Sequence, residues 1–101
     1  MTRYQSGRVV EWKVRDMLLS AGASIVVRSA GSKTLADLVA MFKDSTWAIQ
    51  CKRAKPSTAE VEGVRYQSRF TEAGWAIVWW QHAECEVQCF RNGRPTIARW
   101  E

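Results

Sequence analysis

The chain predicts an α/β fold, a central mixed β-sheet flanked by two helices. Three observations predict it. Residues 7–22, GRVVEWKVRDMLLSAG, carry Val10, Val14, Met17, Leu18 and Ala21 at spacings of three and four, the stripe of an amphipathic helix. A second helical stretch opens at Ser57 with Glu60 three residues on, the pattern of a capping box. Around these lie six short runs rich in β-branched and aromatic residues, in the order α-β-β-β-α-β-β-β.

Taken in order, Ser6 is the expected N-cap of the first helix and Gly22 its stop. SIVVRSAG follows as a strand. TLADLVAMF and TWAIQCKR are the next two, joined by a tight turn at KDST. Pro56 ends the third strand, and the second helix is expected to run from Ser57 to a stop at Gly74. WAIVWW is the fourth strand. ECEVQCF and PTIARW close the chain as a hairpin through RNGR, whose Asn-Gly pair favours a two-residue turn.

With 101 residues and no linker or repeat, one domain over residues 1–101 is expected. No apolar run reaches the roughly 18 residues of a membrane helix, and MTRYQSGRVVEW lacks a signal peptide's apolar core. A cytoplasmic protein without a membrane partner is the expectation. The net charge of +5 and a pI of about 9.5 favour a polyanionic partner, most simply nucleic acid. Cys51, Cys85 and Cys89 are odd in number and read as free thiols. With His82 as the single histidine, they do not make a structural zinc site. Six tryptophans are many for this length, and those at 75, 79, 80 and 100 are candidates for a subunit interface.

The chemistry concentrates where TWAIQCKR ends in Gln50 and Lys52. If the turn occupies residues 43–46, Phe42 pairs with Trp47 and Asp37 stands opposite Lys52. Directly opposed side chains have Cβ atoms about 5 Å apart. Side chains two apart share a face, so Asp37, Gln50 and Lys52 point one way. Leu38, Ala40, Ile49 and Cys51 point the other. A carboxylate beside a second oxygen ligand suits a hard cation, and a nearby lysine suits a phosphate. The same trio also suits a plain cross-strand ion pair on a solvated face. Glu11 fits either a solvated helix charge or a further ligand. Arg28, Ser29, Ser32 and Lys33 surround Gly31 in a turn that would let a phosphate approach closely, or in an ordinary Ser/Gly turn.

As an ordered set, GRVVE, LLSAGASIVVRSAGSK, ADLVA and WAIQCKR resemble the archaeal-type Holliday junction resolvases of the PD-(D/E)xK nuclease superfamily. The resemblance covers residues 7 to 55 and continues more weakly beyond. It implies a restriction-endonuclease-like fold and a homodimer that nicks opposing strands of four-way DNA junctions with Mg²⁺ or Mn²⁺. It implies that Glu11 is the helix acid of a metal site and Asp37 its central carboxylate. Gln50 stands at the second strand acid, and Lys52 at the catalytic lysine. Arg28 and Ser32 take the positions that contact phosphate and support catalysis. The metal would lie between Glu11, Asp37, Gln50 and the backbone carbonyl of Cys51. Arg3, Arg8, Arg28, Ser29, Ser32, Lys33, Arg53, Lys55, Arg65 and Arg69 are the candidate DNA contacts.

The chain departs from the family in two ways. It carries one extra residue between the helix acid and the arginine, and one between Ser32 and Asp37. Gln50 brings an amide oxygen without charge. The alternatives are another nuclease of the same superfamily, of nicking, repair or restriction type, and a non-catalytic DNA-binding module. The short length would suit an archaeal or phage-encoded protein, the latter acting in its host's cytoplasm.

Overall fold

In the computed structural model the elements are α1 (Arg3–Ser20), β1 (Ile25–Arg28), β2 (Leu38–Met41), β3 (Thr46–Lys52), α2 (Thr58–Gln67), β4 (Gly74–Gln81), β5 (Glu84–Arg91) and β6 (Arg94–Thr96). The structure describes residues 3–29, 35–81, 84–98 and 100, and only the backbone of residues 3–8 and 81. The strands form one six-stranded sheet in the order β1-β2-β3-β4-β5-β6. All neighbours are antiparallel except β3 and β4, which run parallel with α2 as their crossover. The chain is therefore α/β, a mixed sheet with two helices, in the arrangement of a restriction-endonuclease-like fold.

Each face of the sheet has its own core. On one, Val14 and Leu18 of α1 are fully buried against Leu38, Ala40, Trp47, Ile49, Ala76 and Val78. On the other, Val64 of α2 is fully buried against Ala48, Trp75, Ile77, Trp79 and Phe90. Burial of each such aliphatic side chain contributes roughly 1.5–3 kcal/mol. The odd residues of β3 face α1 and the even ones face α2. That alternation is the one expected, and it sends Gln50 and Lys52 to the α2 side while Ile49 and Cys51 pack on the α1 side.

Several sequence expectations are corrected. The β2–β3 turn is the four residues 42–45, closed by the Phe42 N–H donating to the Ser45 carbonyl at 2.8 Å. Met41 pairs with Thr46 and Leu38 with Ile49, so the register is shifted by two from the expected one. Continued one step, it brings Asp37 beside Gln50 and not opposite Lys52. An even shift preserves the faces, which is why their assignment survives the error. Helix α1 starts at Arg3, which puts Ser6 inside it, because nothing in Arg-Tyr-Gln interrupts a helix.

Helix α2 keeps its capping box but ends at Gln67, well before Gly74. Ser68, fully buried, donates its hydroxyl to the Arg65 carbonyl at 2.6 Å and accepts from the Gly93 N–H at 2.8 Å. Gly74 opens β4 instead. A Cβ there would stand 2.6 Å from the Trp47 ring, so this glycine serves a close approach. The Asn-Gly turn forms as expected, with Asn92 at φ 54° and Gly93 at φ 76°.

Trp75, Trp79 and Trp100 are buried within the chain, which corrects their candidacy for a subunit interface, while Trp80 is partly buried. The exposed aromatic surface is elsewhere. Tyr66 and Phe70 on and just after α2 are 56% and 65% exposed, in edge contact at 4.9 Å between ring centroids. Among the described residues, no helix is long and apolar enough to cross a membrane.

Gly74→Ala is expected to destabilise the protein by about 1–3 kcal/mol through overpacking against Trp47. A urea denaturation series checks this, and an unchanged midpoint would contradict the close approach.

Candidate active site

Asp37 sits in a bend immediately before β2, and its backbone turns between two strands. Its N–H donates to the Ile49 carbonyl of β3 at 2.8 Å, while its carbonyl accepts from Ser29 at 2.9 Å on the β1 side. The β2–β3 ladder would stop here. Instead the Asp37 side chain carries it one rung further, with Oδ2 accepting the Cys51 N–H at 2.8 Å. The carboxylate is thereby fixed at the end of β3 that carries Gln50 and Lys52. In an extended strand the N–H and C=O of one residue point to the same neighbour, so the Cys51 carbonyl lies on this side as well.

Gln50 is partly buried, and its side-chain Oε1 is fully buried with no hydrogen-bond donor. An orphaned buried acceptor is costly and asks for a partner. Lys52, on the same face, forms an ion pair with Glu60 of α2. Glu60 was legible in the sequence only as a capping residue. Its second role follows from the crossover, which returns α2 over the C-terminal end of β3.

From the other face, α1 brings in Glu11, whose side chain is 15% exposed and accepts from Arg28 Nε of β1 at 3.2 Å. Asp37 lies close enough to feel the charges of Glu11, Lys52 and Arg28. The Asp37 carboxyl is pushed above its ordinary value. Burial is the main cause and the Glu11 charge adds to it, against the Cys51 N–H and the Lys52 and Arg28 charges, which pull it down. The Cys51 thiol is pushed well above the ordinary thiol range by burial and then by Asp37 and Glu11. It is an inert packing group, not a nucleophile.

The structure thus brings together Glu11, Arg28, Asp37, Gln50, the Cys51 backbone and Lys52. Arg53 and Lys55 continue from the same strand end and are exposed. Arg65 and Arg69 are not part of this group. Arg65 Nε donates to the Gly93 carbonyl at 2.7 Å and Arg69 lies against Gly93, toward the other end of α2. Ser32 and Lys33 lie outside the described residues, as do the side chains of Arg3 and Arg8. A cleft of about 500 Å³, bordered by Phe42, Trp47, Arg91 and Trp100, is at the opposite end of β3 and takes no part in the group.

Among the described residues, no three His, Cys, Asp or Glu side chains cluster as a metal site would require. The donor set here contains two carboxylates and an amide. All its donors are oxygens, one of them an unpartnered buried acceptor, and Asp37 is a carboxylate that burial disfavours as an anion. This set fits a hard divalent cation.

No family model matches the chain, and no curated protein matches it in sequence. Among solved structures, it is similar to the 1.6 Å structure of Archaeoglobus fulgidus Hjc, a Holliday junction resolvase from an archaeal hyperthermophile. The two share 24% identity at a TM-score of 0.62, over 85% of this chain and 72% of that one. The likeness is one of fold.

Asp37 offers a stability test. A carboxyl that folding makes less acidic favours the fold below the ordinary value of 3.8 and costs stability once pH rises through the folded value. Asp37→Asn keeps an acceptor for the Cys51 N–H without the charge. It is expected to melt a few degrees above the parent at pH 7, with the gap closing below about pH 4. Thermal melts across pH check this, and a gap that widens on acidification would contradict the assignment.

Proposed function

We propose that this chain is a divalent-metal-dependent endodeoxyribonuclease that resolves four-way DNA junctions by paired nicks. The observation that supports it best is the convergence of Glu11, Asp37, Gln50 and Lys52 at one strand end, with a half-buried carboxylate beside an acceptor that lacks a donor. The fold likeness to Hjc, itself described as a Holliday junction resolvase, agrees with it.

Glu11, Asp37, Gln50 Oε1 and the Cys51 carbonyl are the oxygens that would hold Mg²⁺ or Mn²⁺. A bound divalent cation supplies the Lewis acidity that phosphodiester hydrolysis needs near neutral pH. Lys52 neutralises charge that grows on the scissile phosphate. Arg28, braced by Glu11, serves the same phosphate, and Ser32 is assigned to it on the sequence resemblance alone. Arg53 and Lys55 extend the cationic end of β3 for neighbouring phosphates, and Ser29 adds a hydroxyl. Arg3, Arg8 and Lys33 join the proposed contacts on the sequence alone. Such contacts follow backbone shape and are salt-dependent, so recognition is by junction geometry and not by base sequence.

Opposed nicks require two active sites in fixed relation, which a twofold dimer provides. The exposed Tyr66–Phe70 pair is the aromatic surface a second copy would cover.

A titration of Mg²⁺ with a synthetic four-way junction, with linear duplex and flap substrates beside it, tests the reading. Symmetric nicks in the junction alone are expected. Binding of the junction with no divalent-dependent cleavage would favour a DNA-binding module, and equal cleavage of duplex a different nuclease. Asp37→Ala and Lys52→Ala are each expected to reduce cleavage at least about a hundredfold with junction affinity retained. Gln50→Glu is expected to stay active and to reach half-maximal rate at lower Mg²⁺, since it restores a charged ligand. Loss of activity in Gln50→Glu would show that the amide has a role other than ligation.

A further inference from the structure

Lys52 ends β3 beyond the last β2 residue it could lean on, and its long flexible stem is a poor holder of a point charge. Its neighbour on the same face, two residues back, is Gln50, which offers no counter-charge. On β4 its register partner is Trp79, buried and 5% exposed, which walls one side. The anion is supplied from α2. Glu60 Oε2 pairs with the Lys52 ammonium, while its Oε1 accepts the Ser57 N–H at 2.9 Å. The Ser57 hydroxyl returns the bond by accepting the Glu60 N–H at 3.2 Å.

Glu60 is therefore rigid before it meets Lys52. The turn that carries it is tied to the core by Val61 and Val64, which pack with Ile77 and Trp79. The first turn of a helix also favours a negative charge. Lys52 makes this carboxyl more acidic than usual, and the Ser57 N–H does so further, so Glu60 stays ionised through the neutral range.

We infer that Glu60 is a positioning residue, which holds the Lys52 ammonium at the Asp37–Gln50 site and supplies the counter-charge that glutamine at position 50 withholds. The inference rests on the nuclease reading for its purpose, but the anchoring rests on geometry alone. One of the three ammonium hydrogens goes to Glu60 and two remain for a phosphate. Glu60 itself touches no reacting atom. The helix cap and the active site are thus one unit, and the N-terminus of α2 is part of the catalytic framework.

Two measurements test this together. Carbodiimide coupling activates a carboxylate, the adjacent amine displaces the activating group as a urea, and an isopeptide forms with net loss of water. Mass spectrometry of the treated protein is expected to find the Lys52–Glu60 cross-link, and its absence would overturn the anchor. Glu60→Gln keeps an oxygen for the Ser57 N–H and so keeps the cap. It is expected to lower single-turnover cleavage of a bound four-way junction about tenfold to a hundredfold, with the junction Kd in EDTA unchanged. Glu62→Gln removes the same charge from the same helix, where it faces Arg65 and not Lys52, and is expected to leave cleavage as it was. Glu60→Gln cleaving at the parent rate would overturn the positioning role. A cross-link in a parent protein that cleaves no junction would sink the nuclease reading and leave the anchor standing.

Discussion

The hydrogen bond from the Cys51 N–H to the Asp37 carboxylate is the contact on which the site depends. Backbone pairing between β2 and β3 ends at Leu38 and Ile49, and beyond it two strand ends would diverge. The side chain of Asp37 substitutes for a carbonyl and holds them together at 2.8 Å. One group therefore does two things: it completes the sheet and sets a carboxylate at the end of β3. Asparagine could complete the sheet as well, and with less cost in burial. That the residue is a carboxylate, raised in pKa by its surroundings, points to a use for the charge.

The electrostatics around this carboxylate are arranged in pairs. Arg28 is matched by Glu11 on the α1 side, and Lys52 by Glu60 on the α2 side. Gln50 lies between them, uncharged and unpartnered. An acid at position 50 would compete with Glu60 for Lys52. With an amide there, Lys52 is left to the helix. Charge is thus distributed across three elements.

Much of this was legible in the residues. The period of two in TWAIQCK placed Gln50 and Lys52 on one face, because alternation is a property of any extended chain. The capping box of Ser57 and Glu60 and the Asn92-Gly93 turn were legible because each is settled within four residues of chain. The register of the β2–β3 hairpin was not, since sliding a four-residue loop by one residue shifts the pairing by two and leaves the same faces buried. Gly74 was read as a helix stop, because nothing local distinguishes that role from a close approach to a ring 27 positions away in the chain. The tryptophans could be read as core or as candidates for an interface for a similar reason: burial within one chain and burial between two look alike in composition.

The sequence by itself determined the element order, the faces of the strands and the identity of the candidate site residues, since all of these follow from periodicity, caps and side-chain type over short spans. Only the tertiary structure decided which of those groups meet. Glu11 and Arg28 are 17 residues apart, Asp37 and Cys51 are 14 apart, and Lys52 meets Glu60 only because the parallel crossover lays α2 back over the end of its own strand. Such meetings depend on how two cores pack on opposite faces of one sheet, and a linear pattern does not contain that packing.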